Sequence, residues 1–302
     1  MKIGITGASG LLGTALSEAL RERGDSVIPF VRSSQTPSEP VIRWFPDRHE
    51  VDERDLASVG HLDAIVHLAG AGIADQRWTT KRKTDILSSR VDGTALLLQV
   101  AHGLTSPPTV VLSGSAIGYY GTRGDDILTE ESSRGDGYLA DVCVAWEDAA
   151  LPLQALGTKV SWLRTGIVMS PRGGALKKQL PLFRAGAGGQ LGNGRQWLSP
   201  ISLRDHVRAT LFILDNQLAG PINLTAPEPV TNKEFTKSLA RQLHRPALAS
   251  IPQWAVAIGL GSELTREALF ASQRVVPTAL TEQGFTFESP DIATILASEL
   301  AR

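Results

Sequence analysis

A single cysteine, Cys143, among 302 residues makes an internal disulfide impossible, and with six scattered histidines it argues against a structural zinc site. Charge imbalance is also missing. Lys and Arg number 30 against 31 Asp and Glu, for a net charge of -1 and no run of five or six like charges. Such a chain has no electrostatic reason to gather nucleic acid or anionic membrane. No stretch of about 18 apolar residues is present to span a bilayer. Met1 leads straight into KIGIT without the basic and apolar regions of a signal peptide. These absences point to a cytoplasmic protein, monomer or homodimer, whose partner is a small molecule, with no nucleic acid and no membrane involved. The 42% hydrophobic and 20% charged composition is that of an ordinary globular protein, enough for one large domain or one and a half.

What is present begins at the first residues. KIGIT, an apolar strand, runs into GASGLLG, which spaces Gly7, Gly10 and Gly13 three residues apart. Leu11, Leu12, Ala15, Leu16, Ala19 and Leu20 then recur on one helical face, and Gly24 is suited to end that helix. The strand SVIPFV follows and completes a βαβ unit of about 30 residues, the context that makes a glycine turn a dinucleotide site. There Gly7 permits the tight turn, Gly10 lets the backbone approach a pyrophosphate, and Gly13 lets helix and strand pack closely. The free N–H groups of the first helical turn meet the phosphate charge. Gly7, Ser9, Gly10, Leu11, Leu12 and Gly13 are therefore expected around the cofactor.

Where a NAD site presents Asp or Glu to the ribose, this chain presents Val31-Arg32-Ser33-Ser34. A guanidinium at Arg32 suits a 2′-phosphate, so NADP is favoured over NAD; the alternative is a solvated surface arginine. Further apolar runs, DAIVHLAG (63 to 70), TVVLSGS (109 to 115) and KVSWLRTGIV (159 to 168), alternate with helical patterns near 79 to 102, 138 to 156 and 204 to 217. The last is expected to be capped by Ser202 or Asp205. The alternation predicts an α/β fold with a doubly wound parallel sheet. GAGGQLGNG, with five glycines in nine residues, reads as a mobile loop near the substrate or as a plain connector. Arg195, Gln196 and Trp197 form a polar and aromatic cluster just beyond it.

The TGxxGxxG turn, HLAGA, SGSAIGYYG and LRTGIVMSP resemble the extended short-chain dehydrogenase/reductase family. GDGYLADVCVAWE, GNGRQWLSPI and ASQRVVPTALTEQGFTF narrow the resemblance to its atypical "epimerase family protein" branch, over nearly the whole chain. The resemblance implies a Rossmann-like domain of residues 1–170 plus about 196–225, and a smaller substrate-side domain of about 171–195 and 226–302. It also implies a nicotinamide cofactor, with Val31, Leu68, Ala69, Gly70, Gly166 and Val168 completing its pocket.

Family members use a Ser or Thr, a Tyr and, four residues after the Tyr, a Lys. Aligned on Tyr138, the lysine's place is held by Val142; aligned through Glu147, the tyrosine becomes Leu139 and the lysine Cys143. Neither register offers a lysine, and Arg90, where the family has Asn, is the candidate substitute cation near cofactor phosphate or ribose. Ser115, Tyr119 and Tyr120 are the candidate catalytic residues; the tyrosines could equally pack the pocket wall. Cys143 reads as a small buried hydrophobe. The implied activity is hydride transfer to a small carbonyl or sugar-like substrate, the alternative being an NADP(H)-binding sensor or scaffold without turnover.

Overall fold

Ile3 and Ile5, with no exposed surface, show why the first strand is apolar throughout: it lies at the middle of a sheet covered on both faces. The computed structural model describes residues 1–32 and 40–301; Ser33 and Ser34 of the expected 2′-phosphate segment lie outside the described residues. The sheet strands are β1 (Lys2–Thr6), β2 (Ser26–Val31), β3 (Ile42–Phe45), β4 (Glu50–Val51), β5 (Ala64–His67), β6 (Val110–Ala116), β7 (Lys159–Thr165) and β8 (Gly220–Leu224). They form one sheet in the spatial order β8-β7-β6-β5-β1-β2-β3-β4. Every neighbouring pair is parallel except β3 and β4 at one edge. The chain winds outward from β1 to β2, then returns to the other side at β5. That reversal opens a crevice above the carboxyl end of β1, where sheets of this kind bind ligands.

Helices α1 (Leu11–Glu22), α2 (Glu53–Val59), α3 (Thr80–Gly103), α4 (Tyr138–Asp148), α5 (Gly174–Arg184) and α6 (Leu203–Asp215) follow in chain order. One core, containing Ile3, Ile5, Leu16, Leu20, Ile213 and Leu224, lies on the α1 and α6 face of the sheet. The other, containing Ile28, Trp44, Ile65, Leu97 and Val160, lies under α2 and α3. A third cluster joins Met169, Leu176 and Phe183 to Phe235, Leu239, Ile295 and Leu296. Apart from Met169, its buried members lie in the segments 171–195 and 226–302. Leu280 and Phe285, by contrast, pack back into the first core.

Local chemistry sets several boundaries. The Ser202 hydroxyl caps α6 by accepting from the Asp205 N–H at 2.9 Å. Asp205 itself is fully buried and accepts the N–H groups of Glu288 and Ser289 at 3.0 and 2.8 Å. α4 stops at Asp148, short of the expected 156, because the segment Leu151–Leu156, with proline in its first turn, tightens into a 3-10 helix. The glycine-rich stretch is partly ordered strand: Gly189–Leu191 pairs in parallel with Ala249–Ile251, and Gly192 and Gly194 take left-handed backbone to turn the chain. Among the described residues no helix is long and apolar enough to cross a membrane.

Candidate active site

At the end of β1, Gly7 adopts φ +67, and a Cβ there would sit 3.0 Å from the backbone of Leu68 and Ala69. A Cβ on Gly13 would fall 2.2 Å from the Gly7 carbonyl oxygen, so the close packing of α1 on the turn depends on its absence. Gly10 differs. It is exposed, and its Cβ would meet only the Gly7 oxygen, at 3.3 Å, so the space beside it is open. Gly10 is also the N-cap of α1 and gives no side-chain bond to the first turn. The N–H groups of Leu11, Leu12 and Gly13, which have no acceptor inside the helix, thus point toward this open space, beside exposed Ser9. A dinucleotide's pyrophosphate fits such a cradle.

The adjoining wall is held by Thr6, whose Oγ1 accepts the N–H groups of Leu68 and Ala69, both at 3.1 Å. With those lone pairs used, its proton goes to His67 Nδ1, 2.8 Å away. Burial pushes the His67 pKa down to about 3. Arg32 lies just past β2, exposed, with no hydrogen bond or ion pair among the described residues, next to half-buried Val31. Val168, half-buried, packs against the first core as Leu11, Leu12 and Leu68 do.

A cavity of about 240 Å³ opens between the carboxyl ends of β6 and β7, α4 and the C-terminal segment. Its β6 and α4 side is Ala116, Leu139, Val142, Cys143 and Trp146. Leu139 and Cys143 of one register and Val142 of the other are therefore apolar groups and a thiol in this wall. Burial pushes the Cys143 pKa up to about 12, and its Sγ contacts the Ala116 oxygen at 3.6 Å. Cys143 is the buried small hydrophobe that its place on the helix predicts.

The three candidate catalytic residues do not line this cavity; Ser115 and Tyr120 belong to a buried network behind it, and half-buried Tyr119 packs on that network. Ser115 Oγ donates to Glu147 Oε1 at 2.7 Å. Glu147 also receives Arg164 through Nε and Nη2, both at 2.9 Å, a bidentate buried pair. Arg164 Nη1 donates to Tyr120 Oη at 3.0 Å, and Tyr120 donates to Asn223 Oδ1 at 2.8 Å. Tyr119 stacks on the Arg164 guanidinium, 3.5 Å from ring centre to carbon. Burial pushes the Tyr120 pKa up to about 12, and the ring has no exposed surface. Against its own burial, Arg164 is held above the ordinary arginine range by Glu147. The pleat explains this placement. Ser113 and Ser115 share one face of β6, and the next residue, Ala116, is the one that lines the cavity. Tyr138 is outside too, its hydroxyl donating to the Lys83 carbonyl at 2.6 Å.

The polar groups that do line the cavity are Arg90, Thr165, Trp197, Ser199, Glu267 and Gln273, with Gly166 beside them. A Cβ on Gly166 would lie 2.4 Å from the Ser199 oxygen, which fixes that close approach. Arg90 rests against Gly70, whose Cβ would be 3.3 Å from the guanidinium carbon. Trp197 Nε1 donates to Asp125 at 2.7 Å and Gln196 Nε2 to the Leu191 carbonyl at 3.2 Å, while Arg195 is exposed. Glu267, missed in the sequence, sits in a π-helical turn, Thr265–Leu269, and accepts the Leu139 N–H at 3.0 Å. Such turns recur at functional sites.

Residues 3–224 match the model of the NAD dependent epimerase/dehydratase family, and residues 251–299 that of a domain of unknown function, DUF1731. Epimerase family protein Mb2239 of Mycobacterium bovis is 41% identical over 99% of this chain and 98% of its own. Human epimerase family protein SDR39U1 (isoform 2), solved with NADPH, superposes with a TM-score of 0.89 at 28% identity, covering 100% of both chains. A nucleoside-diphosphate sugar epimerase structure from Corynebacterium glutamicum gives a TM-score of 0.79 at 37% identity, over 99% of this chain and 58% of that one.

Proposed function

Because the chain belongs to the NAD dependent epimerase/dehydratase family, we propose that it is an NADP(H)-dependent oxidoreductase acting on a small carbonyl or sugar-like compound. The observation that carries this reading is the glycine cradle at α1, open at Gly10 and lined by unpaired N–H groups. Arg32, exposed and without a partner among the described residues, favours the 2′-phosphate of NADP, and the human relative solved with NADPH supports the same choice. When bound, the nicotinamide would supply the hydride.

The chain's part is to orient the acceptor, exclude water and manage one proton. Ala116, Leu139, Val142 and Cys143 give the cavity dry walls. Ser115 and Tyr120 are committed to the Glu147 and Arg164 network, so Glu267 is assigned the proton, as the carboxylate among the lining residues. A cavity of about 240 Å³ is below the range of drug-sized sites, which argues for a compact substrate over a nucleotide sugar. The test is NADPH oxidation against a panel of aldehydes, ketones, quinones and keto acids. Turnover with at least one, lowered about 10²-fold in Glu267→Gln, is expected. Tight NADPH binding with no oxidation by any of them would overturn the proposal.

A further inference from the structure

Arg90 is a half-buried cation for which no carboxylate partner is found among the described residues. Its Nη1 donates to the carbonyl oxygens of Ala71 and Ile86, at 2.9 and 3.0 Å, and its guanidinium rests on the Trp146 ring, 4.9 Å from the centroid. Nε and Nη2 have no protein acceptor among the described residues, and the side chain borders the cavity. No Asp or Glu acts on its charge; burial disfavours it, and Arg82 opposes it further. A partly desolvated charge without a counter-charge favours the binding of an anion beside it. Arg164, a few residues away in space behind the same α4 wall, shows the contrast, since Glu147 meets it with both oxygens.

The rest of the wall sets the shape of what could answer Arg90. Ile73, Ala116, Leu139, Trp146 and Ile167 make one side of it apolar, while Thr165, Ser199, Glu267 and Gln273 supply polar groups elsewhere on the lining. We propose that Arg90 is the substrate-recognition group of this cavity, and that the substrate is a compact, mainly apolar molecule bearing one carboxylate. That carboxylate is received by Nε and Nη2, the two donors of the guanidinium fork that the protein leaves free. The inference takes the cavity to be the substrate site, as the proposed function does, but it requires no hydride transfer.

Benzoate and its neutral isostere benzamide probe it without any reaction. Both are titrated calorimetrically into the full chain, with and without saturating NADPH, and NADPH is titrated separately. Benzoate should bind at least about 10-fold more tightly than benzamide. Arg90→Met should erase that preference while leaving NADPH affinity within about 3-fold, and Arg90→Lys, which keeps the charge, should restore part of it. Equal affinities for the two probes, no binding of either, or a preference that survives in Arg90→Met would overturn the assignment. So would a loss of NADPH affinity of about 10-fold or more in Arg90→Met, which would place the guanidinium on the cofactor. Failure of turnover alone would leave these titrations intact and count only against the hydride-transfer reading.

Discussion

Two arginines flank α4, and the fold treats them in opposite ways. Arg164 is locked by Glu147, Tyr120 and Tyr119 into a network whose donors and acceptors are largely spent on one another. Arg90 keeps two donors free toward a cavity. The first arrangement holds strands and helix together; the second leaves work for a ligand. The lesson is that hydroxyls at the carboxyl end of a central strand are not functional by location alone. What decides is whether their hydrogen-bonding capacity is already consumed.

The sharpest way to break this contrast is to remove Glu147. Glu147→Ala strands the buried Arg164 charge and frees Ser115, and should lower unfolding stability by about 3–5 kcal/mol in denaturant titration. Tyr120→Phe, which leaves Asn223 Oδ1 unpaired, should cost about 1–3 kcal/mol and leave any turnover within about 3-fold. A larger loss of rate in Tyr120→Phe at unchanged stability would return the phenol to catalysis.

Cofactor choice should respond next. Arg32→Ala is expected to weaken NADPH roughly 10- to 150-fold and NADH hardly at all, and Arg32→Glu to reverse their order. Isothermal titration of both cofactors decides it; equal losses would make Arg32 a structural residue.

Acid sensitivity tests the buried histidines, which lie outside that contrast. His67 and His206 are buried, with pKa values pushed down to about 3 and about 4. Unfolded, each would titrate near 6.5. Between pH 6.5 and about 4 the unfolded chain therefore binds more protons, so stability falls as pH falls, by about 2 kcal/mol per histidine at pH 5 relative to pH 7. Denaturant titrations at the two pH values measure it, and His206→Gln should remove about half of the slope.

The cradle was legible because everything it needs is local: a strand, three glycines at fixed spacing and an amphipathic helix, all within residues 2–22. The order of α/β elements was legible for the same reason. The cavity was not. Whether Ser115 or Ala116 faces it depends on the phase of the β6 pleat, and the partner that consumes Ser115, Glu147, comes from the following helix. An alternation count through Ser113 and Ser115 would have hinted that both point away from their neighbour Ala116. Glu267 carried no signal, since it reaches the Leu139 N–H from 128 residues away in the chain. The short strands β3 and β4 were missed because they are brief and lack the long apolar run of a central strand.

Leu280 and Phe285 complete a core whose other buried members all lie before residue 225, and Asp205 fastens the backbone at 288 and 289 to α6. During synthesis, then, the phosphate cradle can form soon after β2 emerges, yet the apolar face beneath it stays unsealed until almost the whole chain has left the ribosome. Until then the nascent protein carries part of that apolar face uncovered. A nick or truncation ahead of residue 280 would reopen the same face and convert a loss at the far end of the chain into aggregation of the cofactor-binding half.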